Sequence, residues 1–226
     1  RRRRRRWGRF AVVLLVVIAV SGGAAYVALG TDVVAVKSVK VSGTSAISRS
    51  AVLTAAHVPM GTPMVRLDAA AIRDRVLGAL PVVADVSVRR QWPSTVRLVI
   101  TERTPAAAVP QAGRYTIVDR TSMPYRTVST SPPGLAVLLV SRPGTADEST
   151  LAALAVLDSL PTYLRRLLLR IEAPTAQQVQ LLLRDKRRII WGSAGDADAK
   201  VAVVRVLLTR PGAIIDVSSP GLATVR

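Results

Sequence analysis

Seven arginines stand against a segment with no charge at all, and this pairing constrains the chain more than any other feature. Arg1 to Arg6 and Arg9 flank residues 10–29, which contain no Asp, Glu, Lys or Arg. About 20 such residues form a helix of roughly 30 Å, the hydrocarbon thickness of a bilayer. Lipid offers the backbone no hydrogen-bond partner, so a single segment crosses only as a helix. Basic flanks stay on the cytoplasmic side. The segment predicts a single-pass anchor in the plasma membrane, with the N-terminus cytoplasmic and the bulk of the chain extracytoplasmic. A cleaved signal peptide is the rival reading, with Ser21-Gly22-Gly23-Ala24-Ala25 as the cleavage region. Its apolar core is usually about 7–15 residues, whereas Tyr26-Val27-Ala28-Leu29 carries this run further.

Past the anchor about 197 of the 226 residues remain, enough for one large domain or two small ones. Half the residues are hydrophobic, but one Phe, three Trp and four Tyr mean that the cores are aliphatic. The net charge of +18 overstates the case for a nucleic-acid partner. Seven positives belong to the membrane flank, and the remaining 25 basic residues stand against 14 acidic ones. Those 25 are scattered, without a dense run or interleaved aromatics, and no nucleic acid is expected outside the cytoplasm. There is no cysteine, which is compatible with an extracytoplasmic domain of this size and removes thiolate chemistry.

The pattern along the chain predicts a strand over 36–41, a helix over 49–56 capped by Ser48, and a helix over 69–80 capped by Asp68. In the second helix Ile72, Val76 and Leu80 line one face while Arg73, Asp74 and Arg75 turn outward. Strands follow over 82–90 and 95–101, joined by a turn at Gln91-Trp92-Pro93-Ser94. Val96, Leu98 and Ile100 alternate against Thr95, Arg97 and Val99. Glu102-Arg103-Thr104-Pro105 marks a boundary, where Glu102 and Arg103 are placed to pair across the junction. Beyond it strands are expected over 106–109, 115–119, 125–128 and 135–140, then a helix from Asp147 to before Pro161, then strands over 167–172, 179–183 and 188–191. Asp196 is expected to cap a helix over 197–209, with Val201, Val204 and Leu208 on its apolar face and Lys200 turned away. The last elements are 214–217, a turn at Ser219-Pro220-Gly221, and 223–226. The fold class is α+β: a transmembrane helix (10–29) after a cytoplasmic basic flank (1–9), a link (30–35), a β-α-α-β-β domain (36–104), and a second mixed α/β domain with a largely antiparallel sheet (105–226).

Candidate chemistry is sparse. The one histidine, His57, sits at a helix end, with no second His for a metal and no G-x-S-x-G serine in the chain. Asp196 and Asp198 read as a cap and a first-turn charge. Gly192-x-x-Gly195 lacks the fuller glycine spacing and the Lys-Ser/Thr of a phosphate loop. No catalytic residue, metal or cofactor is expected, and binding becomes the default. A sheet closing on a short C-terminal strand offers either an exposed edge that accepts a partner strand or a strand paired within its own sheet; the pattern leaves both open.

Several stretches together resemble one family. Arg90-Gln91-Trp92-Pro93-Ser94-Thr95-Val96, followed by Leu98, Ile100, Glu102, Arg103, Pro105 and Ala107, is similar to the exit from the POTRA domain of the FtsQ/DivIB family of bacterial division proteins. The Val-x-Gly ending of Val39 to Gly43 resembles that domain's opening strand. Trp191-Gly192, Lys200 and Ile215-Asp216-Val217-Ser218-Ser219-Pro220 resemble the family's closing pattern. The resemblance implies a POTRA-like first domain and an FtsQ-type second domain. It implies a scaffold without enzymatic activity or cofactor, placed at the division septum and binding the single-pass proteins FtsB (DivIC) and FtsL and other divisome components. It implies that the last strand receives an FtsB strand. Here that edge is Ile214, Ile215, Asp216, Val217, Ser218 and Ser219, flanked by Pro220 and Gly221, with Lys200 and Arg205 facing acidic partner side chains. Two other readings compete. A POTRA-containing translocation or assembly component would precede a barrel of alternating roughly ten-residue segments, a series absent from this sequence. An anchored cell-wall enzyme needs a nucleophile or a carboxylate pair.

Overall fold

The computed structural model describes residues 12–24, 26 and 34–226. The basic flank 1–9 and parts of the expected anchor and link lie outside them. Within the anchor, 12–24 and 26 are helical and exposed. Among the described residues no helix is long and apolar enough to cross a membrane. The chain divides after Glu102 into two compact units.

The first unit is a three-stranded sheet, β1 (Ser38–Ser42), β2 (Val83–Gln91) and β3 (Thr95–Glu102), in the order β1-β3-β2. β3 runs parallel to β1 and antiparallel to β2. Two helices, α1 (Arg49–Ala56) and α2 (Ala69–Ala79), add their buried faces to the core, as do Val36, Met64 and Leu67. Both begin where their caps predict: the Ser48 side chain accepts from the Ala51 N–H and Asp68 from the Ala71 N–H, each satisfying an otherwise orphaned donor. Val96, Leu98 and Ile100 on β3 are buried together with Ile72 and Val76 on α2 and Val52 and Ala56 on α1. The period-two and period-four patterns thus meet in one aliphatic core. Trp92 stands 54% exposed at the β2–β3 turn.

Two backbone devices fix this unit. Gly43 leaves β1 at φ +84°, and a Cβ there would press into the Ile100 carbonyl of β3, so only glycine fits. The chain then turns under Glu102. Its carboxylate accepts from the N–H groups of Ser45, Ala46 and Ile47 and from the Ser45 hydroxyl, at 2.6 to 3.1 Å. The Ser45 hydroxyl first, then these amides, outweigh desolvation and lower its pKa from 4.5 to about 2. The last residue of β3 therefore holds the entry to α1. That turn takes up the Glu102 carboxylate.

The second unit is a nine-stranded mixed sheet in the order β12-β11-β10-β9-β8-β7-β4-β5-β6. Its strands are β4 (Ala107–Gln111), β5 (Arg114–Val118), β6 (Pro124–Val128), β7 (Ala136–Leu139), β8 (Leu168–Glu172), β9 (Val179–Leu183), β10 (Arg188–Gly192), β11 (Ile214–Asp216) and β12 (Thr224–Val225). The β4–β7, β7–β8 and β10–β11 pairings are parallel and the other five antiparallel. Three helices complete it: α3 (Glu148–Ser159), α4 (Thr162–Leu167) and α5 (Ala197–Leu207). The core joins Ala153, Leu154 and Leu157 of α3 and Val204 and Leu207 of α5 to Ile171, Leu181, Ile189 and Trp191 of the sheet. Asp147 caps α3 through the Thr150 amide and hydroxyl. Asp119 organises the β5–β6 turn, accepting from the Thr121 and Met123 amides, the Thr121 hydroxyl and the Arg103 guanidinium. Burial works against its carboxylate, yet these bonds hold its pKa below the ordinary value.

Gly43→Ala is expected to destabilise the first unit by roughly 2–4 kcal/mol, read by hydrogen exchange of the β3 amides in the whole chain; unchanged protection would show that the turn relaxes freely. Glu102→Gln tests the carboxylate pin. Because the folded pKa is depressed, its contribution is full above 4.5 and is lost as pH falls through about 2. The variant should be less stable at pH 7 and show a flatter acid limb between those values. Parallel acid limbs in the two proteins would contradict the pin.

Candidate functional site

The closing segment is built on β10. Ile189 and Trp191 point into the core and are fully buried. β11 joins β10 in parallel register, Arg188 opposite Ile214, Ile189 opposite Ile215 and Ile190 opposite Asp216. The Val217 N–H donates to the Ile190 carbonyl at 2.9 Å. Gly192, at φ +76°, lets this crossing happen, since a Cβ there would lie 3.0 Å from the Ser218 Cβ. Asp216 closes the next turn by accepting from the Ser218 N–H at 3.0 Å and the Ser218 hydroxyl at 2.8 Å. A single 3-10 turn (Pro220–Leu222) then returns the chain as β12, antiparallel to β11.

This return corrects the expected edge. Ile214 to Asp216 is an inner strand, with β10 on one side and β12 on the other. Ile214 exchanges both backbone bonds with Arg226, each at 2.9 Å. Its own sheet pairs β11 because the Ser219-Pro220-Gly221 turn makes a hairpin of the last two elements. The outermost strand is β12. In an antiparallel ladder the residue between two bonded pairs turns its backbone groups away. Val225 lies between the Arg226–Ile214 and Thr224–Asp216 positions, so its N–H and C=O face the free side.

The individual side chains sort accordingly. Ile215 and Val217 are buried, Asp216 and Pro220 half-buried, and Ile214, Ser218, Ser219 and Gly221 exposed. Leu222 is 82% exposed beside this edge, and Val206 on α5 is 56% exposed. Neither stood among the expected contacts, although an apolar residue in a polar turn and an apolar residue off the helix core face are both visible in sequence. Arg205 is exposed on the same helix.

Lys200, expected to turn away from the α5 core, is 1% exposed. Its ammonium donates to the Ser193 carbonyl at 2.8 Å and lies 5.9 Å from the centre of the Trp191 ring. Burial lowers its pKa, with the Asp196 charge opposing. A side chain so enclosed does not meet a partner's carboxylate; it ties α5 to the β10–α5 loop. The reason is geometric: Asp196 enters the helix at φ +55° and its side chain makes no cap bond, so the loop folds back over the first turn. His57 ends α1 in the left-handed region at φ 42°. Among the described residues no cluster of three or more His, Cys, Asp or Glu side chains is placed to hold a metal.

Fold and site define a POTRA-containing α/β protein in which β12 is the outermost described strand at one end of the second unit's sheet. Comparison with known proteins agrees. The profile described as "POTRA domain, FtsQ-type" matches residues 34–103. Proteins named "Cell division protein FtsQ" are similar over nearly the whole chain. The one from Mycobacteroides abscessus is 38% identical across 95% of this chain and 68% of its own length. That from Mycobacterium tuberculosis is 36% identical across 97% and 69%, and that from Streptomyces collinus 33% across 96% and 87%. The solved extracytoplasmic domain of the trans isomer of the division protein DivIB from Geobacillus stearothermophilus aligns with TM-score 0.35 at 15% identity, covering 49% of this chain and 98% of that one. The chain belongs to the FtsQ family of cell-division proteins.

The buried ammonium makes a signed prediction. The unfolded chain keeps the Lys200 proton up to 10.5, while the folded one releases it earlier, so this residue makes stability rise with pH below 10.5. Lys200→Met should abolish that rise and be neutral to about 2 kcal/mol more stable at pH 7, measured by urea unfolding across pH. A loss of stability at pH 7 would instead make the Ser193 bond a net stabiliser.

Proposed function

We infer that this chain is a non-enzymatic scaffold of the division apparatus, anchored once in the plasma membrane with its N-terminus cytoplasmic and its two units outside, at the septum. It binds FtsB/DivIC-type and FtsL-type single-pass proteins by strand addition. The family supports the divisional role, and the arginine-flanked segment 10–29 supports the topology.

The observation that carries strand addition is the contrast between the two ends of the large sheet. β6, at one end, holds Pro124 and the exposed Arg126 and has a register break against β5, the devices that blunt an edge against pairing. β12, at the other end, is Thr224-Val225, with neither proline nor charge. An incoming strand finds the Val225 backbone groups free, exposed Leu222 and Ile214 for apolar contact, and Arg205 on α5 for a carboxylate. The expected contact set thus moves outward by one strand, from Ile214–Asp216 to Thr224–Val225.

Val225→Pro separates this reading from simple unfolding. The Val225 N–H faces outward, so proline removes a donor to the partner without breaking the bonds between Ile214 and Arg226. In the full chain the variant should keep its circular dichroism spectrum and lose capture of the FtsB-type extracytoplasmic segment by at least about tenfold. A proline at Ile215 should instead disturb the sheet itself, because that strand is paired on both sides. Undiminished capture by Val225→Pro would remove strand addition at this edge.

A further inference from the structure

A cleft of about 520 Å³ opens in the second unit, away from the closing edge. It lies where the loop into β7, the helix α4 and the ends of β8 and β9 meet. Arg165, Arg166 and Arg184 line it together with Thr162, Leu135 and Leu169. No carboxylate lines it, and among the described residues none of the three arginines forms an ion pair. Three guanidiniums around one concavity repel each other, and here nothing acidic offsets them.

Two of the three are held in place. Arg165 donates from Nε to the Leu160 carbonyl and from a terminal nitrogen to the Asp158 carbonyl, both at 2.7 Å. Arg184 donates from Nε to the Arg166 carbonyl at 3.2 Å. Each retains unused N–H donors, and their orientation is set before any ligand arrives, which lowers the ordering cost of binding. The Arg166 guanidinium makes no hydrogen bond to the described residues. Leu135 and Leu169, the latter 46% exposed, give the cleft apolar lining as well.

We propose that this cleft is a binding site for the phosphate group of an organic phosphodiester. One carboxylate is satisfied by a single bidentate guanidinium. A phosphodiester also carries one charge, but its tetrahedral phosphorus spreads four oxygens in different directions, so guanidiniums on several sides can reach one group. Leu135 and Leu169 leave apolar lining for the carbons of the ester. An acidic peptide fits less well, because β7, β8 and β9 are all inner strands of the sheet and offer no free edge for an extended backbone. In the extracytoplasmic placement inferred above, on which the choice of ligand rests, this chemistry has two sources, a phosphatidylglycerol headgroup and a glycerol-phosphate polymer.

The test uses the full chain in an uncharged detergent, titrated with glycerophosphoglycerol, with a short glycerol-phosphate oligomer and with a glutamate-rich peptide. Calorimetry gives affinity, and nitrogen resonances of the arginine side chains give location. Saturable binding of the phosphates is expected, with shifts at Arg165 and Arg184. Arg166→Gln, which removes a guanidinium that makes no internal bond, should weaken it roughly tenfold. Arg114→Gln, which takes the same charge from β5, should leave it within about twofold. Preference for the headgroup assigns the lipid source and preference for the oligomer the polymer source; either supports the site. Absence of saturable binding, an equal loss in Arg114→Gln, or tighter binding of the peptide than of either phosphate would overturn it.

Discussion

A sheet that does not close on itself ends in two strands whose outer N–H and C=O groups have no partner in the sheet. This requirement governs the second unit. Nine strands are ordered so that the aliphatic face is covered by α3 and α5, and two edges are left to manage. The chain blunts one with Pro124 and Arg126. At the other it adds β12, two uncharged residues that pair β11. The buried ammonium of Lys200 and the tight crossing of Gly192 over Ser218 both serve to hold β10, α5 and β11 so that this hairpin has a fixed base.

The first unit solves a different problem with the same means. Its three strands bury one face under two short helices, and isolated helices of 8 and 11 residues are marginal in water. Each is nucleated by a side-chain cap, and α1 is further fixed by the Glu102 carboxylate from the end of β3. A long-range bond between residues 45–47 and 102 thus closes the unit at the point where the chain leaves it. That placement explains why the Glu at the end of the R-x-W-P…E-R run is needed for local reasons, apart from any partner.

Periodic elements were legible in the sequence. The α1 and α2 starts follow from Ser48 and Asp68, the β3 core from Val96, Leu98 and Ile100, and β9 from its run of aliphatic residues. What escaped has physical causes. α4 is a helix of six residues between Pro161 and β8, too short for a 3.6-residue period to show. Lys200 reads as solvent-facing by residue type, and only the fold-back of the loop before α5 encloses it. β12 is two residues, below the length at which alternation means anything, and its pairing follows from the turn before it. Missing that pairing shifted the expected edge inward by one strand. The cleft at α4 was equally hidden, since its three arginines come together only when α4 and the end of β9 are brought side by side.

The surplus of arginine over acid raises a structural question that the ion pairs do not answer. With 32 basic and 14 acidic residues, most arginines cannot find a carboxylate. Several find helix ends instead. Arg75 donates to the Ala56 carbonyl at the end of α1, and Arg90 to Leu67 after the 3-10 turn before α2. Arg165 binds the Asp158 and Leu160 carbonyls at the end of α3, and Arg184 the Arg166 carbonyl in the last turn of α4. Helix C-termini present orphaned carbonyls and the negative end of the macrodipole, so a guanidinium from a neighbouring element satisfies both at once. This use of arginine needs only some of its donors and leaves the charge uncompensated. Where two such caps, Arg165 and Arg184, fall beside an unengaged third arginine, stabilising the helix ends also gathers a field that an oxyanion can fill. The anion-binding character of the α4 cleft is then a by-product of how an arginine-rich chain finishes its helices.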